Sequence, residues 1–303
     1  MNHSTAFAQG LVVLFALCAA VCAAVGIVVR QRATTDVPPE KGVSTVMFVT
    51  LLRRPLWWAG TAVAIAGYVF QALALIKGSL LLVQPLLVSA LLFALPLSAR
   101  LAHRRVTRAE WLWAMLLTAA LAVFVVLAKP HSGDYAGAIP ASTIAAVAAV
   151  VFAGLMVVVA VKQPGWRRAV LLAVAVGVLF GVLAVLTKIV MHFLNEGSAL
   201  DLLKSPTPYV LIVLAVVGTL LQQSAFHAGA LQTSVPTMLV LEPVVAVLLG
   251  AVVLGELLDA TGYEAVILTL AVASMAAATV ALGRDAGAYE ESLETGAGRP
   301  VKG

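Results

Sequence analysis

Apolar runs of roughly twenty residues, bounded by charge or proline, recur from one end of this chain to the other. About twenty residues at ~1.5 Å rise each cross a ~30 Å hydrocarbon core. In that solvent every backbone N–H and C=O must be satisfied inside the protein, and runs of this length do so as helices. Nine transmembrane helices are expected: Ala8–Val29, Leu56–Ile76, Ser79–Leu101, Trp111–Ala128, Ile139–Val161, Ala169–Met191, Tyr209–Ala230, Ser234–Leu254 and Glu264–Leu282. Charge is too scarce for a soluble alternative. Charged residues make up 11% of the 303, hydrophobic ones 62%, and the mean hydropathy is +1.05; soluble domains carry about 25% charged residues. The fold class is therefore all-α, a polytopic membrane protein.

The first run is not a cleaved signal by this reading. Only His3 precedes it as a basic group, and Leu11–Val29 is longer than a 7–15 residue signal core. Trp57, Trp58, Trp111 and Trp113 flank spans, as interfacial belt residues do. Cys18 and Cys22 share a helix face at a spacing that suits neither a disulfide nor a zinc site, and read as small packing residues.

The basic residues orient the chain. Arg30, Arg32, Lys41, Arg53 and Arg54 fill the first connection, Arg100, Arg104, Arg105 and Arg108 the third. Lys162, Arg167 and Arg168 fill the fifth, and Arg284, Arg299 and Lys302 the tail. The alternate connections hold Lys77, Lys129, Lys188 and Lys204. Since cytoplasmic loops collect Lys and Arg, the N-terminus is expected outside and the C-terminus inside the cytoplasmic membrane. The same clustering accounts for the net charge of +5 without nucleic acid.

Two segments of the chain echo one another. Leu82-Val83-Gln84-Pro85-Leu86-Leu87 in the third run parallels Val240-Leu241-Glu242-Pro243-Val244-Val245 in the eighth. Each precedes a Thr-x-x-Glu capping box, Thr107 to Glu110 and Thr261 to Glu264. Runs one to four thus match six to nine, and an odd connector makes the copies inverted across the membrane. The expected organisation is a first repeat over 1–130, a connector and basic loop over 131–168, a second repeat over 169–282, and a disordered cytoplasmic tail over 283–303. Inverted repeats are characteristic of secondary transporters, which bind substrate near the midplane where the copies meet.

Glu242 is the leading candidate for substrate or ion binding, being the acidic residue well inside a span. A charge at that depth costs roughly 2.5–3.5 kcal/mol on insertion scales, so it should face the interior with a partner or a proton. Pro243 beside it removes an N–H and disturbs the local helix. A protonated Glu bonded between helices is the structural alternative. Lys188 either snorkels to the interface or counters Glu242 or an anion. Gln71, Gln84, Gln222 and Gln223 are amides in or near spans that either hold helices together or line a shared cavity. His227, one turn beyond Gln223, joins a proton path or is structural. Gly177 and Gly181 form a G-x-x-x-G for close packing or for a moving face. Glu256 and Asp259 are expected to be solvated at the end of the eighth run. The chain has no phosphate-binding G-x-x-x-x-G-K-[ST] loop, no metal-ligand spacing and no catalytic Ser-His-Asp grouping. Neither an enzyme nor a cofactor is implied.

The stretch from Leu239 to Glu256, with Glu242-Pro243 and a closing Leu254-Gly255-Glu256, resembles the end-of-repeat signature of the drug/metabolite transporter superfamily, EamA type. Gln84-Pro85 is a weakened copy lacking the Leu-Gly-Glu close. Trp57-Trp58-Ala59-Gly60, Gly181 through Lys188, Gln222-Gln223 and Ser234-Val235-Pro236 resemble the NIPA-like magnesium transporter branch. The resemblance covers about residues 10–282. It implies a carrier moving a small solute by alternating access; the alternatives are a magnesium or divalent-cation transporter, with Glu242 as the metal-facing carboxylate, and a non-transporting subunit or lipid-handling scaffold. The partners implied are the solute, the bilayer and a second copy in a homodimer.

Overall fold

The structure, a computed structural model, describes residues 3–35, 53–101, 105–128, 130–131, 139–163, 165–196, 199–227, 231–258 and 262–297. The described chain is helical apart from one two-residue bridge. Its elements are α1 (His3–Thr35), α2 (Pro55–Lys77), α3 (Leu80–Leu87), α4 (Ala90–Leu101), α5 (Arg108–Leu127), β1 (Pro130–His131), α6 (Ile139–Val161), α7 (Gly165–Glu196), α8 (Ala199–Lys204), α9 (Thr207–His227), α10 (Leu231–Leu254), β2 (Leu257–Leu258) and α11 (Tyr263–Ala297). Among the described residues, nine stretches are long and apolar enough to cross a membrane, with α3 and α4 together forming one. The protein is an all-α polytopic membrane protein.

Local chemistry sets the helix ends. Thr107 and Glu110 form the reciprocal capping box that opens α5: the Thr107 N–H donates to Glu110 Oε2 at 2.6 Å, and the Glu110 N–H to Thr107 Oγ1 at 3.2 Å. Thr261 of the second box lies outside the described residues. Ser79 caps α3 by accepting from the Leu82 N–H at 3.2 Å. The third span, expected as one helix over Ser79–Leu101, is broken instead. Pro85 sits inside α3, which ends at Leu87, and the chain turns through Val88 and Ser89 before α4 begins. A proline crowds the carbonyl four residues back, here that of Leu81; at the break itself the backbone bonds tighten to a three-residue spacing, Val88 N–H to the Pro85 carbonyl and Ser89 N–H to that of Leu86. At the other end of the chain, α11 runs past Leu282 to Ala297, through a segment whose composition suggested disorder.

Helix α7 is the hub. It is 78% buried across its span, whereas the connector α6 is 11% buried and presents Ile144, Val151 and Val158 outward. Around α7 pack α2, α6, α9 and α10. α1 packs on α2, α3 and α4, and α5 packs on α11. Glycines set the closest approaches. A Cβ at Gly26 would stand 3.1 Å from the Ala64 nitrogen, and one at Gly67 3.2 Å from Cys22 Cβ, so α1 and α2 meet on small residues. Cys18 and Cys22 are free thiols, half-buried on α1.

Three connections gather at one end of the bundle, with Lys188 of α7 among them. β1 and β2 pair antiparallel, Pro130 with Leu258 and His131 with Leu257. The α2–α3 turn at Gly78-Ser79 meets Lys188, towards the end of α7, and Glu256, just beyond α10. We call this end the β-bridge face.

Candidate functional site

Glu242 occupies α10 on the stripe that carries Met238, Ala246, Leu249 and Val253, all buried. Residues three, four and seven apart share one helix face. Glu242 itself is half-buried. The backbone there lies against the G-x-x-x-G of α7. A Cβ at Gly177 would be 2.9 Å from Leu241 Cβ and 3.4 Å from the Glu242 nitrogen; one at Gly181 would be 2.7 Å from Val245 Cβ and 3.0 Å from the Ala246 nitrogen. The glycines bring α7 directly onto the Glu-Pro segment.

The break between α3 and α4 lies at the same depth. α10 ends on the β-bridge face where α3 begins, so the two helices run in opposite directions. Gly250 abuts Leu80, with a Cβ there 3.3 Å from Leu80 Cβ. Eight residues from that contact, about 12 Å along each axis, stand Val88 in one chain segment and Glu242 in the other. α3 packs on α10, while α4 turns to α1 and α11. Glu242 therefore stands where the broken span departs from α10. Two buried donors flank the break. Gln84 Nε2 and Ser89 Oγ, in side chains 1% exposed, have no hydrogen-bond partner among the described residues. A buried polar group left unpaired costs roughly 1–3 kcal/mol.

Lys188 departs from the snorkelling expectation. It is buried, and its Nζ donates to the carbonyls of Leu75 at 2.8 Å and Gly78 at 2.5 Å, at the end of α2. A cation belongs there, against the negative end of the helix dipole. The expectation that Glu256 is solvated is corrected as well. Glu256 is 1% exposed and its Oε2 accepts from the Leu81 N–H at 3.3 Å, at the start of α3. Burial pushes its carboxyl above the usual range, while Lys188 and the N–H groups of Leu81 and Leu80 pull it back down. The charge that Lys188 meets is thus Glu256. Gly255, at φ 63°, turns the chain after α10 and directs Glu256 back beneath α3. A glycine directly before a carboxylate at a helix end was the signal for this residue in the sequence. Asp259 lies outside the described residues.

The other predicted residues are spread around α7. Gln71 is half-buried in α2, Gln222 and Gln223 are half-buried in α9, and His227 is the last residue of α9. α2 and α9 both pack on α7. A separate cleft of about 640 Å³ lies between α6, α7, α10 and α11, lined by Phe152, Val174, Val178, Val240, Leu241 and Arg284 among others. It is apolar except at its Arg284 and Thr237 edges, and the predicted polar residues do not line it. Among the described residues no three His, Cys, Asp or Glu side chains gather as a metal set.

No family model matches the chain. No solved structure matches it either. A protein of Corynebacterium glutamicum, "Uncharacterized protein Cgl0250/cg0304", is 37% identical over 274 residues. With that alignment covering 90% of this chain and 95% of the relative, the chain belongs to the same family as the Corynebacterium glutamicum protein.

Proposed function

We propose that the protein is a secondary carrier of a small solute, working by alternating access between two inverted four-helix repeats, of the drug/metabolite transporter type. The carrying observation is a carboxylate inside a span, Glu242, on a helix that packs against the broken third span. Transporter sites are built where discontinuous helices meet near the midplane, because freed backbone and polar groups there can hold a solute without exposure to lipid. The packing favours two repeats: α1 lies on α2 and on α3 and α4, as α7 lies on α9 and α10, and α5 meets α11. Lys188 is engaged by carbonyls and balanced by Glu256, so it does not serve the site as a countercharge to Glu242. The site suits a solute or coupling ion that brings positive charge or N–H donors to Glu242, and an acceptor to Gln84 Nε2 and Ser89 Oγ. The cytoplasmic membrane, with the N-terminus outside, is the setting the basic loops favour.

Reconstitution into liposomes with a pH-sensitive dye, screened against cationic, zwitterionic and anionic metabolites, tests the proposal. Flux of a cationic or zwitterionic solute is expected, and Glu242→Gln should reduce it at least tenfold. Equal flux by Glu242→Gln and wild type across pH would remove the carboxylate from the mechanism. Including magnesium in the panel, with growth of a magnesium-requiring host on limiting magnesium, separates the NIPA-like branch.

A further inference from the structure

We propose that Lys188, Glu256 and the α2–α3 turn form a latch that holds the β-bridge face shut and parts when that face opens. This rests on the reading of the chain as an alternating-access carrier. The turn belongs to the first repeat, and both charged residues belong to the second. The chain separations are long: 113 residues from Lys188 to Leu75, 110 to Gly78, and 175 between Leu81 and Glu256. Each charge meets the helix end of opposite polarity, Lys188 the last carbonyls of α2 and Glu256 the first N–H groups of α3. Ser79, between them, is buried and committed to its own cap. Beneath them Leu80, with no exposed surface, packs against Gly250 of α10. Every link across this point joins one repeat to the other, so rocking the repeats apart at this face must break it.

The chemistry suits a contact made and broken in each cycle. Taking two charges out of water nearly offsets their attraction in the closed state. When the face opens, water hydrates the same ammonium, carboxylate and carbonyls. Removing one partner leaves the other charge dry and uncompensated in the closed state alone, which shifts the balance towards the open one.

The test uses the full chain in sealed membrane vesicles of both orientations, with Cys18→Ala and Cys22→Ala, and one new cysteine by Leu80→Cys. A membrane-impermeant maleimide is the probe. Labelling should be slow in this background and at least tenfold faster, from the β-bridge face, once Glu256→Gln or Lys188→Met is added. Adding Gly250→Cys gives a pair placed for a disulfide, which should form readily in the background and slowly in the latch variants. Glu256→Gln keeps the side-chain shape and an acceptor for the Leu81 N–H, so it decides the matter if Lys188→Met fails to fold. Fast labelling of the background, or unchanged labelling and cross-linking in a Glu256→Gln protein that elutes as a single folded species, overturns the latch. Neither readout needs the solute, so the latch can fail while carrier flux stands, and the reverse.

Discussion

At Gly255 the backbone adopts φ 63°, a conformation that costs a residue with a Cβ roughly 1–2 kcal/mol. That angle separates an acidic residue left in water from one brought back under α3. The consequence is energetic as well as geometric, because Glu256 and Lys188 are both buried and each is the other's balancing charge. Lys188→Met removes the donor from two carbonyls and leaves the carboxylate without its countercharge. It should destabilise the purified protein by about 3 kcal/mol, in the range for breaking a buried pair. Glu256→Gln keeps an acceptor for the Leu81 N–H but leaves the Lys188 ammonium without its countercharge, and should likewise cost about 3 kcal/mol. The double variant should cost less than the two together, by roughly 1–3 kcal/mol, since the uncompensated carboxylate is gone. Unfolding titrations in detergent read all three. Additivity within about 0.5 kcal/mol would show that the charges do not feel one another.

Spans are legible in a sequence because lipid imposes a local rule, about twenty apolar residues for each crossing. Glu242 is legible for the same reason, since a carboxylate inside such a run is costly wherever the neighbouring helices lie. The fate of Lys188 and Glu256 is set by partners more than a hundred residues away, and local pattern reads each as an ordinary end-of-helix charge. Pro85 marks the broken span in the sequence, although the site of the break at Val88 and Ser89 emerges only with packing. The glycines are intermediate. Gly177 and Gly181 are readable as a packing motif, and the structure supplies the surface they meet, Leu241 to Ala246. A methyl group at Gly181 would meet Val245 Cβ at 2.7 Å and the Ala246 nitrogen at 3.0 Å, and backbone cannot yield as a side chain can. Gly181→Ala should therefore separate α7 from α10 and cost about 1–3 kcal/mol. Gly154→Ala on α6 has nothing within 4 Å of the new Cβ and should be neutral or slightly stabilising, by up to ~1 kcal/mol from helix propensity. Thermal unfolding of the two variants side by side checks the contrast; equal melting temperatures would mean that the α7–α10 approach is not close in solution.

For the whole molecule, two independent lines bear on the proposed inverted arrangement. One is charge: Arg and Lys crowd the odd-numbered connections and leave the even ones sparse. The other is contact, and it makes no use of charge counts. The α2–α3 turn meets Glu256, Lys188 near the end of α7 reaches that same turn, and β1 pairs with β2. These contacts bring the second, fourth and eighth connections and Lys188 of α7 to one face, as alternation of the crossings would require. A missed or extra span anywhere between them would put one of these contacts across the bilayer. Oppositely signed reporters should follow. Fusions after Lys129 and after Lys204 should report the outside, and fusions after Arg105 and after Lys162 the cytoplasm. On the proposed two-repeat arrangement, matching segments should read opposite, the connection after α2 outside and the one after α9 inside. Replacing Arg104, Arg105 and Arg108 with glutamine should weaken this bias without reversing it, because the first, fifth and last basic clusters remain. Reporters that place the fourth and eighth connections on opposite sides would contradict the β1–β2 pairing, and with it the proposed two-repeat carrier.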